Sequence, residues 1–176
     1  MIISLTGFMG CGKSSVGRRL SELLCCSFID LDDVIEEREG RSIPEIFATE
    51  GEATFRQMEL DALRTIICHS DSQSDSKRHL VIALGGGTVM TNECAELVQN
   101  NTCCIYLKAS VETLVEHLAG EAAGRPMLAD ADLRTRIETL MQQRAATYEK
   151  TAHIIVDTDG RSIDSIADDI IRSGSL

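Results

Sequence analysis

The chain predicts an α/β fold, a five-stranded parallel sheet covered by helices on both faces to give three α/β/α layers. Three observations carry that prediction. Short apolar runs rich in β-branched residues alternate with helical patterns along all 176 residues. The first run, Ile2–Thr6, leads through a glycine-rich turn into an amphipathic helix. Strands that alternate with helices are joined by crossovers, which parallel pairing requires and which place helices over both faces. The length suits one domain spanning residues 1–176, and an apolar share of 43% supplies a core.

Each element has its own signal. A helix is expected over about Lys13 to Cys25, where Val16, Leu20, Leu23 and Leu24 recur at helical spacing. Ser27–Leu31 reads as the second strand, and Asp33–Glu39 as a short helix ending at Gly40. Ser42-Ile-Pro-Glu has the form of a helix start, with proline in the first turn and glutamate in capping-box position. A longer helix is expected over Glu52–Cys68. The polar, serine-rich run 71–79 reads as a solvated loop. Leu80–Leu84 is a third strand entering Gly85-Gly86-Gly87. Helix 92–99, strand 103–107, helix 111–118, helix 131–149, strand 153–157 and helix 163–172 complete the alternation.

Composition excludes some partners. With 17 basic and 28 acidic side chains the net charge is −11, which disfavours long nucleic acids and anionic membranes. Aromatics are only 3%, with no tryptophan, so base-stacking platforms for single strands are not expected. The seven cysteines are odd in number, include the adjacent pairs Cys25-Cys26 and Cys103-Cys104, and form no C-x-x-C. They read as small hydrophobes in a reducing compartment. The opening MIISLTG has no basic leader, and no run approaches the roughly 20 apolar residues of a membrane span. A cytoplasmic, monomeric protein is expected. The four histidines, His69, His79, His117 and His153, show no metal-ligand spacing.

Gly7-Phe8-Met9-Gly10-Cys11-Gly12-Lys13-Ser14 satisfies G-x-x-x-x-G-K-[ST] completely. Glycines let backbone N–H groups curl around phosphate oxygens, lysine reaches the β- and γ-oxygens, and the serine hydroxyl ligates Mg²⁺. The motif follows a strand and opens a helix whose positive end faces the phosphates. It therefore points to a nucleoside triphosphate. Cys11, near that helix start, reads either as a tolerated small residue or as an oxidisable thiol.

The remaining residues narrow the class. No guanine-reading Asn-Lys-x-Asp occurs, and the third strand ends in glycines rather than in Asp-Glu. A small kinase with a small acceptor fits the size. Catalysis in such an enzyme is mostly positioning and charge neutralisation, so carboxylates and cations near the phosphoryl group are needed. In an extended segment Asp30 and Asp32 would share one face. Alternatively, Asp32 or Asp33 merely caps the next helix. Isolated arginines such as Arg56 and Arg144 would ordinarily be solvated or ion-paired on a helix surface, and Gly85–Gly87 could be a simple turn.

Several ordered segments together resemble the shikimate kinase family. They are GFMGCGKSSVGRRL, DLDDVIE, GRSIPEIFATEGEATFRQME, LGGGTV, GRPML and RAATYEKTA, which span nearly the whole length. The resemblance implies a P-loop kinase fold like that of nucleoside-monophosphate kinases, with a mobile lid at about 119–129 and an acceptor region at about 31–60. It implies Mg²⁺-dependent transfer of the ATP γ-phosphoryl to the 3-hydroxyl of shikimate, within aromatic amino-acid biosynthesis. Carried over by position, Gly10, Cys11, Gly12, Lys13, Ser14 and Ser15 bind ATP. Ser14 also ligates Mg²⁺, and Asp30 holds its water shell. Asp32 accepts from the ring hydroxyls and is the candidate base. Arg56 and Arg144 grip the shikimate carboxylate beside Gly85, Gly86 and Gly87. Lys13 and the lid's Arg125 neutralise the moving phosphoryl, and Arg161 lies near the adenine. The chain departs from the family where relatives commonly carry an arginine before the lid; here stands Glu116-His117-Leu118-Ala119. A gluconate-type kinase, or an inactive ATP-binding regulator on the same scaffold, are the competing functions. On the shikimate kinase reading, Lys13, Arg56, Arg125 and Arg144 are expected to converge on one cleft, leaving surplus carboxylates outside.

Overall fold

The computed structural model describes residues 1–72, 79–122 and 130–173. Five strands, β1 (Ile2–Thr6), β2 (Ser27–Asp30), β3 (Leu80–Ala83), β4 (Cys103–Lys108) and β5 (Ile154–Asp157), form one sheet in the order β2-β3-β1-β4-β5. Every neighbouring pair is parallel. β1 lies at the centre and all its residues are buried, so a continuous apolar run belongs there. Of its two buried hydroxyls, that of Ser4 pairs with the Thr102 hydroxyl at 2.7 Å.

Alternation along the strands divides the core. Ile3, Leu5, Val81, Ile105 and Leu107 meet Val16 and Leu20 of α1 (Lys13–Leu23) and Ile166, Ala167 and Ile170 of α7 (Ile163–Arg172). On the other face Ile2, Ile82, Cys104 and Tyr106 meet Leu60 and Leu63 of α3 (Ile43–Ser72), Val98 of α4 (Asn92–Asn101) and Tyr148 of α6 (Asp130–Thr151). α2 (Leu31–Glu39) lies between β2 and α3, and α5 (Val111–Ala122) follows β4.

This topology locates the site. α1 leaves β1 over one face, whereas α4 follows β3 over the other. The crevice at the C-terminal ends of the adjacent strands β1 and β3 is where open α/β sheets bind ligands. Register makes those ends level, since Ala83 pairs with Leu5 on one side and with Asp30 on the other. The phosphate-loop residues after β1, the carboxylates after β2 and the glycines after β3 thus leave the sheet together.

Most other boundaries shift by one to four residues from the sequence reading, α3 taking in Asp71 and Ser72 of the expected loop 71–79, whose residues 73–78 lie outside the described ones. Three shifts have a plain cause. α1 stops at Leu23 rather than Cys25, because Cys25 has a left-handed φ of 50° that a helix cannot continue through. α3 joins the two expected helical stretches across a break at Gly51, with φ 81° and ψ 175°; the Glu45 carboxylate accepts from the Ser42 backbone N–H at 2.8 Å, half of the capping box. β2 ends at Asp30, so Leu31 and Asp32 are helical. Among the described residues no helix is long and apolar enough to cross a membrane. Arg125 and most of the expected lid, 119–129, lie outside the described residues.

Candidate active site

The loop after β1 is shaped by its glycines. Gly10 and Gly12 have φ of 80° and 94°, a region costly for side-chain-bearing residues. Gly12 is the N-cap of α1 and offers no side chain to the first-turn N–H groups, which are thereby left for an anion. Lys13 Nζ donates to the carbonyls of Gly7 and Phe8, each at 3.0 Å, and so arches back over the loop. α5 braces the outside: His117 Nδ1 is 2.7 Å from the Gly10 carbonyl. Cys11 is buried, and burial raises its thiol pKa despite the opposing charge of Lys13. That environment favours the small-residue reading over a reactive thiol.

Asp30 links the loop to α2. One of its oxygens accepts from the Ser14 hydroxyl at 2.6 Å. The other caps α2, accepting from the Asp32 N–H at 3.1 Å. The strand pattern in the sequence puts Asp30 and Asp32 on one face, with Asp32 or Asp33 as the alternative cap. Instead Asp30 is the cap, and the turn of the helix brings Asp32 over the end of β3. Burial, then the neighbouring Asp30 and Glu59 charges, push the Asp32 carboxyl up from 3.8 to about 6, against the pull of Lys13. The Ser14 hydroxyl and Asp30 carboxylate are hard oxygen donors joined across the mouth of the loop. Mg²⁺ typically takes one or two protein oxygens and completes its shell with phosphates and water, so these residues fit it.

The triple glycine is the floor shared by the acceptor residues. A Cβ on Gly85 would lie 2.8 Å from Asp32 Oδ1, 2.9 Å from Glu59 Oε1 and 3.0 Å from Thr88 Oγ1. A Cβ on Gly87 would lie 2.5 Å from an Arg56 nitrogen, and one on Gly86 would press on the Met9 N at 3.2 Å. The glycines serve close approach here rather than a left-handed φ. Arg56 donates to Glu59 at 2.5 Å and to Glu52 at 3.0 Å. Glu59 is 1% exposed, and its second oxygen accepts from the Thr88 hydroxyl at 2.5 Å. From α6, Arg144 reaches the Gly86 carbonyl at 3.4 Å and lies over the Phe8 ring at 6.0 Å. The Tyr148 hydroxyl donates to the same carbonyl.

A cleft of about 530 Å³ runs from Asp32 and Gly86 past the loop residues Gly10 to Ser15, to His117, Thr158 and Arg161. Arg161 is held by the Asp157 carbonyl at 3.2 Å, by Ser165 and by Asp169. Asp30, Asp32 and Gly86 thus line one end of the cleft with the loop and Arg161 lines the other, while Arg56 and Arg144 are not on its wall but flank the glycines, at Gly87 and at the Gly86 carbonyl. Glu59, Thr88 and Tyr148 are additional members that the sequence reading misses. Glu59 carries a signal: it interrupts the apolar stripe Phe55, Glu59, Leu63 at four-residue spacing. Tyr148 sits one turn after Arg144, on the same helical face.

Comparison with known proteins agrees with this architecture. The family model for shikimate kinase matches residues 9–174. A shikimate kinase of Thermus thermophilus is 42% identical over 170 residues, covering 97% of this chain and 88% of that protein. The enzyme of Chlorobium limicola is 38% identical over 180 residues, covering 98% and 85%. Shikimate kinase from Acinetobacter baumannii in complex with shikimate superposes with a TM-score of 0.85 at 32% identity, covering 99% of this chain and 94% of that one. With the motif segments in order, the fold matched and the likeness running end to end, the chain belongs to the shikimate kinase family.

Proposed function

We propose that the chain transfers the γ-phosphoryl of ATP to the 3-hydroxyl of shikimate, releasing ADP and 3-phosphoshikimate in aromatic amino-acid biosynthesis. The observation that carries the reading is the meeting of a complete phosphate loop with Asp32, Arg56 and Arg144 around Gly85–Gly87, in a chain of this family.

Each residue has a task that its geometry suits. Backbone N–H groups from Gly10 to Ser15 cradle the phosphates, and Lys13 exchanges its two carbonyl partners for phosphate oxygens. Ser14 and Asp30 would hold Mg²⁺, the serine directly and the carboxylate through water; the ion neutralises the β- and γ-oxygens when bound. Asp32 aligns the acceptor hydroxyl and takes its proton, a role suited to a carboxyl raised to about 6. The planar forks of Arg56 and Arg144 hold the acceptor carboxylate, while the Gly86 N–H and the bare glycine backbone let the ring approach. Arg125, carried by position from the family, adds positive charge to the moving phosphoryl, and Arg161 borders the adenine. The reading includes a cytoplasmic monomer, for which size-exclusion chromatography tests the second part.

An ADP-release assay coupled to NADH oxidation decides the acceptor. Shikimate should support turnover that depends on Mg²⁺, and gluconate should not. Turnover with gluconate alone would refute the acceptor, and ATP binding without any turnover would favour a regulator.

A further inference from the structure

We infer that Tyr148 is a positioning residue for the acceptor, fixing the Gly86 peptide between the phosphate loop and α6 while Arg144 engages the acceptor's carboxylate. This rests on the acceptor reading above. Gly86 is held from two sides. On one, a Cβ would lie 3.2 Å from the Met9 N and 3.7 Å from the Gly7 carbonyl oxygen, so its backbone abuts the phosphate loop. On the other, its carbonyl accepts from Tyr148 and, at a long 3.4 Å, from Arg144. The two donors differ in kind. Tyr148 is fully buried and its ring stacks on Tyr106, with centroids 5.2 Å apart and planes at 29°. Burial pushes its phenol up to about 12, so it donates as a neutral hydroxyl at any working pH. Arg144 sits on a flexible stem, and a carboxylate that spans its fork draws it off the carbonyl. Tyr148 is then the remaining donor to Gly86 among the described residues. Without it, acceptor binding would leave the half-buried Gly86 carbonyl with no protein donor among the described residues, a cost that falls on the bound state.

The test uses the whole chain and two phenylalanine variants. Tyr148→Phe keeps the ring pair and removes the donor. Tyr106→Phe removes a hydroxyl that is buried without a hydrogen-bond partner and serves as the control. Tyr148→Phe should raise the KM for shikimate about 5- to 20-fold, the loss expected when a half-buried acceptor loses its hydrogen-bond donor. The KM for ATP and kcat should each stay within about threefold, as uniform loss of acceptor binding implies. Tyr106→Phe should leave all three unchanged. In ¹⁵N-resolved spectra of the protein alone, the Gly87 amide, which shares its peptide with the Gly86 carbonyl, should shift in Tyr148→Phe and not in Tyr106→Phe. An unchanged shikimate KM, or equal effects in both variants, overturns the positioning role. An unmoved Gly87 amide overturns the tie itself. Wild-type protein that turns over another acceptor and not shikimate refutes the acceptor reading alone, and the same KM comparison is then made with that acceptor.

Discussion

Replacing Asp32 by asparagine separates what this carboxylate does for catalysis from what it costs the fold. Asp32 is largely buried beside two other carboxylates, with Glu59 Oε1 and Asp32 Oδ1 both within 3 Å of the Cβ position of Gly85. Its pKa rises from 3.8 to about 6 in the folded chain. The folded state therefore binds this proton more tightly than the unfolded state does. The stabilising effect of protonation is complete below about pH 4, declines as pH rises through the interval to about 6, and is absent above it. Relative to a neutral side chain the ionised group then costs the fold about 3 kcal/mol, at roughly 1.4 kcal/mol per pK unit. Loss of the attraction to Lys13 is already counted in that net shift. Asp32→Asn should thus stabilise the protein by about 2–3 kcal/mol at pH 8, raising Tm by about 5–10 °C, and by almost nothing at pH 4. Turnover should fall by about 10²–10⁴, the usual contribution of a general base, while ATP binding persists. Urea melts at pH 4, 6 and 8, with the ADP-release assay, measure both. A variant less stable than wild type at pH 8, or equally stabilised at every pH, would refute the electrostatic account; normal turnover would remove Asp32 as the base.

The other predictions follow from neighbouring contacts. In wild type, kcat/KM for shikimate should fall below about pH 6 as Asp32 protonates; Glu59→Gln removes a charge that raises that pKa, so the acid limb should move to lower pH. The same variant weakens the anchor of Arg56 and should raise the shikimate KM by about tenfold; an unmoved limb and an unchanged KM would reject both roles. Ser14→Ala should raise the Mg²⁺ concentration for half-maximal rate by at least about tenfold, because the hydroxyl joined to Asp30 is lost; an unaltered titration would place the metal elsewhere. Gly85→Ala puts a methyl within 3.0 Å of Asp32, Glu59 and Thr88 and should cost about 1–3 kcal/mol. It should also abolish measurable shikimate turnover, and a fully active variant would show that these side chains yield without consequence.

How legible the site is depends on whether its parts are contiguous. The phosphate loop is one segment whose backbone does the work, so eight residues suffice to read it. The three inner strands β3, β1 and β4 are legible because central parallel strands are apolar throughout, and the edge strands β2 and β5 are legible from short β-branched or aromatic runs. Asp32 is singled out on the wrong backbone: period two is extended past Asp30, where the Asp30 side chain caps α2 and ends the strand. Propensity does not see that event, since Leu31 and Asp32 fit a strand end and a helix start alike. Glu59, Thr88 and Tyr148 lie outside any motif, on a helix face, in a 3-10 turn and on a distant helix. Each joins the candidate site only when β3 delivers Gly85–Gly87 between them, a three-body fact that one-dimensional spacing does not contain.

The net charge of −11 invites the view that a cationic cleft must compensate for an acidic surface, and the geometry corrects that view. Arg56 and Arg144 flank the glycines, Lys13 arches over the adjoining phosphate loop on the cleft wall, and Arg125 lies outside the described residues. But they meet carboxylates: Arg56 is held by Glu59 and Glu52, and Asp30 and Asp32 stand beside Lys13. The described part of the site is not simply an excess of positive charge. What recognises anions here is direction. A guanidinium anchored by a buried glutamate presents its remaining N–H groups in a fixed plane, and helix-start N–H groups point into the loop without a capping side chain. Such donors are held in place before the ligand arrives, so little reorganisation is needed on binding. The acidic neighbours that hold them also raise Asp32 to about 6, so on the proposed reading one cluster has two effects: rigid donors for a carboxylate and a base poised near neutrality. Affinity for the acceptor should accordingly depend more on Glu59, which carries the wrong sign for attraction, than on the many arginines of the outer surface.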